Sequence, residues 1–468
     1  MSDTGVRKND VLRLEVTDLN NLGCGVGHLT GRGEADGMTV FVRGAVTGDV
    51  ADVRIIKVNR GYLVARLEKI VTPSPDRIAD GCPVASSCGG CVYQNVSYAH
   101  ESERKRAYIR NAFRKAGLPD VEVEPVRSTG AISGYRNKAQ YPVGTDREGR
   151  PVAGFYAVSS HRVVPAESCF LQPDVFGRIA ERICRFAAEH GATVYDETTG
   201  KGLLRHIYLR RGTATGEILV CLVLNGDRFP DEKILADALR EEFPETVGVL
   251  INVNRENTNV ILGGRWRTVW GRAYLEDVLC GLRFRVSPES FFQVNHDACE
   301  LLYEIAREKA GLTGNERLVD LYCGIGTIGL SMADGVREVV GVEIVPEAVE
   351  CAARNAKENG ISNASFFCGD ASDPEGLLRL AASGSGSLSD ATVILDPPRK
   401  GTTRELISAI AAQGAPKVLY ISCNPDTLAR DCAWFREEGY SVGTLTPVDL
   451  FPRTGHVETV VLMSRKNS

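Results

Sequence analysis

The sequence predicts a multidomain protein: a small N-terminal β-barrel, a central α+β region and a C-terminal doubly wound α/β domain. Three observations predict it. Residues 8–70 alternate apolar and polar positions between closely spaced turns. Residues 290–468 alternate strand-like and helix-like stretches. Between them lies a short run rich in cysteine and glycine. A chain of 468 residues suffices for two or three domains, and we divide it at 1–70, 71–285 and 286–468.

In the first region, strands are expected near 12–16, 39–42, 49–58 and 61–67, with turns at Asn20-Asn21, Gly23, Gly25, Gly27 and Asp36-Gly37. Short strands at this spacing suit a barrel of about five. Arg43, Arg54, Lys57, Arg60 and Arg66 recur along it. They suit a phosphate backbone or a solvated strand face equally well.

Pro73-Ser74-Pro75 marks a boundary. Cys82, Cys88 and Cys91 then form a C-x5-C-x2-C run with two glycines, and a loop of this kind reads as a metal site. Cys169 is the best-placed fourth ligand. Spacing alone allows zinc or an iron–sulfur cluster, and inert thiols are the bland alternative. A helix over 98–116 carries Arg104, Lys105, Arg106, Arg110, Arg114 and Lys115, a charged outer face partly balanced by Glu101 and Glu103, or an RNA-facing edge. Residues 134–138 (GYRNK), Tyr141, 154–156 and 202–212 mix aromatic and basic groups that suit single-stranded bases. Strand and helix signals alternate over 203–285, and His206 there reads as structural.

The last region predicts a helix over 290–310, strand 317–321, a turn at 322–327 and a short helix. Strand 338–344, helix 346–359 and strands 364–368 and 391–395 follow, with a flexible tract at 383–389 before the last of them. Helix 404–413, strand 416–421, helix 426–438 and closing strands near Val442 and 457–462 complete a parallel sheet. Gly324, Gly326 and Gly329 follow a strand and open a helix. With Asp320 and Glu343 they fit any adenosine-bearing cofactor, a dinucleotide or S-adenosylmethionine (SAM).

What discriminates is the strand ending in Asp396-Pro397-Pro398, whose prolines stiffen an extended loop, beside the strand ending in Ser422-Cys423-Asn424-Pro425. Cys423 falls at a strand's carboxyl end, next to a helix N-terminus expected to favour a thiolate. It reads as a nucleophile, against the plainer reading of an inert core cysteine. The pair suits methyl transfer to a planar base, not hydride transfer.

Composition sets outer limits. Hydrophobic content of 43% and charged content of 25% are ordinary for a globular protein. The polar start MSDTGVRKND lacks a signal peptide's apolar run, and no stretch reaches membrane-spanning length, so a cytoplasmic protein without a membrane partner, acting as a monomer, is expected. Fourteen irregularly spaced cysteines argue for reduced thiols, metal ligation or catalysis over a disulfide framework. The net charge of −5 counts mildly against a nucleic-acid partner, but local clusters count for more.

The motifs CPxxxxCGGC (82–91), YRNKAQYPV (135–143), SFFQVN (290–295), DLYCGIGTIGL (320–330), ILDPPRKG (394–401), ISCNP (421–425) and GHVE (455–458) span nearly the whole chain. In them the sequence resembles the RNA 5-methyluridine methyltransferases, most closely the 23S ribosomal RNA branch with a TRAM barrel and a 4Fe-4S cluster. The resemblance implies cluster ligation by Cys82, Cys88, Cys91 and Cys169, addition of the Cys423 thiolate to carbon 6 of uracil, and proton removal by Glu458. It also implies that Asp396 bonds the base, and that Gln293, Tyr322, Thr327, Glu343, Asp370 and Asp396 line the SAM site. Arg399 is placed to steady an enolate or a phosphate, and the helix near 100–116 is expected to pack on the catalytic domain. Transfer RNA is the rival substrate, although that bacterial branch generally lacks the barrel and cluster cysteines. An idle RNA-binding module and a nicotinamide-dependent reductase are the readings from other classes, and both leave Cys423 dispensable.

Overall fold

A computed structural model describes residues 5–31, 36–79, 81–370, 373, 374, 376, 378 and 387–465; of the tract expected to be flexible, 383–386 lie outside the described residues. The strands β1 (Val11–Leu19), β2 (Cys24–His28), β3 (Thr39–Arg43), β4 (Val50–Val58) and β5 (Tyr62–Thr72) close a barrel in the order β1-β2-β3-β5-β4. Alternation builds it: Leu12, Leu14, Val16, Val53, Ile55 and Leu63 all point inward. Strand β2 is absent from the sequence reading because Gly25 and Gly27 there look like turn residues. They serve close approach instead, since a Cβ on Gly27 would lie 2.5 Å from the Glu15 carbonyl oxygen. Arg54 and Arg66 share Glu68 on an exposed strand face.

The helix Tyr98–Lys115 buries Ile109, Ala112 and Phe113 in one core with Val393, Leu428 and Phe435 of the C-terminal region. Its basic face is only partly outward. Lys105 is 1% exposed and donates to Glu101 (2.7 Å), Asp449 (2.8 Å) and the Phe451 carbonyl (3.2 Å).

The central sheet comprises β6 (Lys138–Thr145), β7 (Pro151–Tyr156), β8 (Val163–Pro165), β9 (Leu204–Arg211), β10 (Ile218–Leu224), β11 (Thr246–Val253) and β12 (Arg265–Gly271). Its order is β12-β11-β10-β9-β6-β7-β8. Helices Asp174–Glu189 and Glu232–Glu242 pack on it through Phe176, Ile183, Leu235 and Leu239. Two arginines expected to meet RNA are buried here. Arg205 donates to the carbonyls of Asn254 and Glu256, both at 2.8 Å. Arg210 donates to those of Ser287 (2.7 Å), Ser290 (2.8 Å) and Phe292 (3.3 Å). The Arg210 bonds tie up the carbonyls of 287, 290 and 292 in an irregular segment, so the helix expected from residue 290 begins at His296, capped by the Asn295 side chain. His206 is buried too, which with Arg205 pulls its pKa down to about 4.

A hairpin, β13 (Leu275–Leu279) and β14 (Leu282–Val286), leads into the last sheet. Its strands are β15 (Arg317–Leu321), β16 (Glu338–Glu343), β17 (Ala364–Cys368), β18 (Ala391–Leu395), β19 (Lys417–Ser422), β20 (Tyr440–Val442), β21 (Thr446–Val448) and β22 (Glu458–Arg465). The order β17-β16-β15-β18-β19-β22-β20 has β15–β19 parallel and β20 and β22 antiparallel, with β21 paired to β22. Val319, Val393 and Val418 face one core, while Leu318, Ile394 and Leu419 face the other. Helices cover both faces, which is why these strands read as unbroken apolar runs. Strand order reverses between β15 and β18, and a ligand crevice belongs at their carboxyl ends. Among the described residues no helix is long and apolar enough to cross a membrane.

Candidate active site

A cavity of about 710 Å³ opens at that switch point. Leu321 pairs with Val342 and Leu395, so Tyr322, Glu343 and Asp396 leave their strands side by side. Cys423 follows β19, and the antiparallel pairing of Ser422 with Thr459 sets Glu458 next to it. Gln293, Tyr322, Glu343, Asp370, Asp396, Cys423 and Glu458 all line the cavity.

The glycine turn forms one wall. Tyr322, Gly324 and Gly326 have φ of 75°, 55° and 85°, a tight left-handed path that brings backbone to the cavity. Glu343 fixes it by accepting from the Gly324 N–H (3.1 Å) and the Val345 N–H (3.0 Å). Asp320 lies underneath, accepting from the Gly329 N–H at 3.0 Å, and is not part of the lining. Thr327 is also set back, its Oγ1 sharing a 2.8 Å hydrogen bond with the Tyr303 hydroxyl. Phe291, His456 and Phe451 are among the lining residues not singled out from the sequence. Phe291 is 71% exposed at the mouth although its neighbour Phe292 is core. His456 lies within the GHVE motif, and its Nε2 meets Arg399 Nη2 at 3.1 Å. The SFFQVN motif, which contains Phe291, is the signal that could have drawn attention to it.

The chemistry is that of crowded acids. Burial pushes the Asp396 carboxyl up to about 7. Burial, then the neighbouring Asp396, pushes Glu458 up to about 8, with Arg399 working against both. For Cys423, burial comes first, then Glu458 and Asp396, and the thiol rises to about 11 although Arg399 opposes the shift. The expectation that the helix N-terminus favours a thiolate is thus corrected. Desolvation and two carboxylates outweigh the ends of a few peptide dipoles. A nucleophile, a carboxyl titrating near neutrality and a guanidinium in one cavity suit addition to an electrophilic ring followed by proton transfer.

A second cavity, about 520 Å³, adjoins the first and shares Arg399, Phe451 and His456 with it. Cys82, Cys88, Cys91 and Cys169 line it together with Arg136 and Lys138. The thiols sense one another. Cys91 is driven up to about 12 by burial and then by Cys169, Cys88 and Cys82, while the Gly90 N–H points at Cys88 Sγ from 3.4 Å. Among the described residues no three His, Cys, Asp or Glu side chains are grouped closely enough to hold a metal ion.

Comparison with known proteins bears on this geometry. The profile described as tRNA (Uracil-5-)-methyltransferase matches residues 97–466, and that of the TRAM domain matches residues 5–67. A protein of Halalkalibacterium halodurans named an uncharacterized RNA methyltransferase is 38% identical over 463 residues, 99% of this chain and 98% of the relative. One of the same description from Clostridium acetobutylicum is 39% identical over 463 residues, 98% of each. Among solved structures, the Pyrococcus abyssi tRNA (uracil-54, C5)-methyltransferase in complex with S-adenosyl-L-homocysteine superposes with a TM-score of 0.76. It is 27% identical, with 97% of this chain and 100% of that one covered. With a family profile over most of its length behind a TRAM barrel, and a crevice where such enzymes bind SAM, this chain belongs to the tRNA (uracil-5-)-methyltransferase family, enzymes that methylate uracil carbon 5 in RNA.

Proposed function

We propose that the chain methylates carbon 5 of one uridine class in 23S ribosomal RNA through a transient bond between Cys423 Sγ and carbon 6 of the ring. The observation that carries the chemistry is the meeting of Cys423, Asp396 and Glu458 in one cavity at the switch point, while the choice of 23S RNA rests on the resemblance in sequence. Carbon 5 of uracil is too weak a nucleophile to react unaided. Addition of the Cys423 thiolate to carbon 6 makes the ring an enolate, whose carbon 5 then takes the methyl group. SAM, when bound, supplies that methyl as an electrophilic sulfonium substituent. Glu458 removes the carbon 5 proton, and elimination returns Cys423. Asp396 hydrogen-bonds the ring, and Arg399 balances the enolate charge. Gln293, Tyr322, Glu343 and Asp370 hold the donor, with Thr327 acting through Tyr303 to fix the glycine turn. The target base must be unpaired or flipped to enter.

We further assign Cys82, Cys88, Cys91 and Cys169 as ligands of a 4Fe-4S cluster. Zinc draws four ligands to a point about 2.3 Å from each sulfur, whereas a cuboidal cluster spreads them around a volume. Four thiols lining one cavity, beside Arg136, Lys138 and Arg399 and with no carboxylate among the described lining residues, fit the larger anionic group. Lys138 supports this. Burial, then Arg210 and Arg136, drop its pKa to about 8, a strain that a neighbouring anion relieves.

Transfer RNA is the second reading. The tRNA enzyme of Pyrococcus abyssi is matched along its whole length, barrel region included, so the barrel does not by itself select the ribosome. Mapping 5-methyluridine in ribosomal and transfer RNA, with and without the gene, separates the two. Loss confined to tRNA removes the 23S assignment. Cys423→Ala is expected to bind RNA without methylating it, and activity in that variant would overturn the mechanism.

A further inference from the structure

Arg399 is held by its backbone and left loose at its tip. Its carbonyl accepts from Asn424 Nδ2 (2.9 Å) and Thr427 Oγ1 (3.3 Å), which pins it to the start of the helix after Cys423. Its guanidinium stands in the wall shared by the two cavities. Among the described residues no carboxylate lies within ion-pair distance of it, and its one hydrogen-bonded side-chain partner is His456. We infer that His456 is a positioning residue, holding the Arg399 guanidinium toward Cys423 and Glu458. The functional meaning of this rests on the proposed roles of Cys423 and Glu458.

The direction of the bond follows from chemistry. A guanidinium only donates, so His456 Nε2 must be the acceptor, and the imidazole is neutral with its proton on Nδ1. The surroundings agree, since burial and then the cations Arg399, Lys105 and Arg136 push its pKa down. The ring is also fixed. It meets Phe451 edge-on at 6.0 Å, and its backbone N–H donates to Thr454 Oγ1 at 3.3 Å. Gly455, next to it, is wedged against the Asn21 carbonyl of the barrel, where a Cβ would overlap the oxygen. One short segment thus presents both Glu458 and the strap that aims the opposing charge. Without the strap, no side chain among the described residues bonds the guanidinium, and it is free to swing into either cavity.

The test is alkylation of Cys423 against pH in the full-length protein, resolved by peptide mass spectrometry to separate it from the other thiols. In His456→Phe the half-labelling pH is expected to rise by about one unit, a roughly tenfold slowing below it. Arg399→Ala is expected to shift it similarly, and the double variant no further than either alone. His456→Gln, whose amide oxygen replaces Nε2 as acceptor, is expected to keep the parent profile within about twofold. An unchanged profile in His456→Phe, or in Arg399→Ala, overturns the inference, as does a His456→Gln profile as displaced as that of His456→Phe. Methyl transfer is not part of the readout. Labelling that shifts as expected in a protein with no uridine methylation keeps the inference and removes the functional reading.

Discussion

Glu458→Gln should gain stability relative to the parent protein as pH rises. The Glu458 carboxyl ordinarily titrates at 4.5 and here does so at about 8. Because the folded value is the higher one, the folded state binds this proton more tightly than the unfolded chain does. Stability is therefore whole below about pH 4.5 and is lost as pH rises toward about 8. At about 1.4 kcal/mol per unit, the loss is about 1.4 kcal/mol at pH 5.5, about 3.4 at pH 7 and close to 5 above pH 8. Glutamine does not titrate and escapes this loss. Its own buried amide offsets the whole curve by a constant, so the slope is the diagnostic. The difference between variant and parent should widen by about 3 kcal/mol between about pH 5.5 and about pH 9. Denaturant unfolding of both proteins across that range measures it. A difference independent of pH would refute the reasoning, since the carboxylate would then ionise in the fold as readily as in water. In the proposed reaction the same variant accumulates a covalent RNA adduct, so the protein that better keeps its stability at high pH should also be the dead enzyme.

Lys105→Met should cost about 3 kcal/mol in unfolding experiments, because it takes the ammonium from Asp449 and leaves Glu101 with Arg453 alone; a loss below about 1 kcal/mol would mean that the remaining donors suffice. Gly455→Ala should loosen the barrel from the catalytic loop, since the new methyl meets the Asn21 oxygen, and faster limited proteolysis near residues 20–23 would register it. Anaerobically purified protein should contain about four irons per chain with broad visible absorbance, lost in Cys82→Ser; zinc alone would overturn the cluster assignment.

The C-terminal sheet was legible because burial on both faces leaves apolar runs such as Val418–Ile421 uninterrupted, and because Asp396 and Cys423 sit where such strands must end. Positions set by distant partners were not. Nothing near residue 290 announces that Arg210, far earlier in the chain, will claim the carbonyls of 287, 290 and 292 and delay the helix. For the same reason Lys105, Arg205 and Arg210 passed for solvent- or RNA-facing cations, because a charge pattern does not reveal which cations will find buried acceptors. The ionisation state of Cys423 was misjudged on similar grounds. The helix N-terminus is visible in Asn424-Pro425-Asp426, whereas Asp396 and Glu458 reach the thiol only through strand register.

That register also explains how a thiol titrating near 11 can serve as a nucleophile. At neutral pH such a group is ionised in only about one molecule in ten thousand, so each unit recovered is worth tenfold in rate. The carboxylate that most opposes it is Glu458, and Glu458, titrating near 8, holds its own proton in most molecules at pH 7. The Glu458 share of the repulsion is therefore largely silent when Cys423 must ionise, and Arg399 is set against an Asp396 that is about half ionised at pH 7. These groups titrate as a set, in which one negative charge makes the next harder to form. In the proposed reaction the thiolate's charge passes into the uracil ring and is discharged when carbon 5 is methylated. Only then does the cavity have room for a Glu458 carboxylate, at the step where a base is required. A carboxyl held near 8 by burial and by Asp396 can stay neutral for the first step and ionise for the second, whereas one at its ordinary value would be charged throughout and would suppress the thiolate from the start.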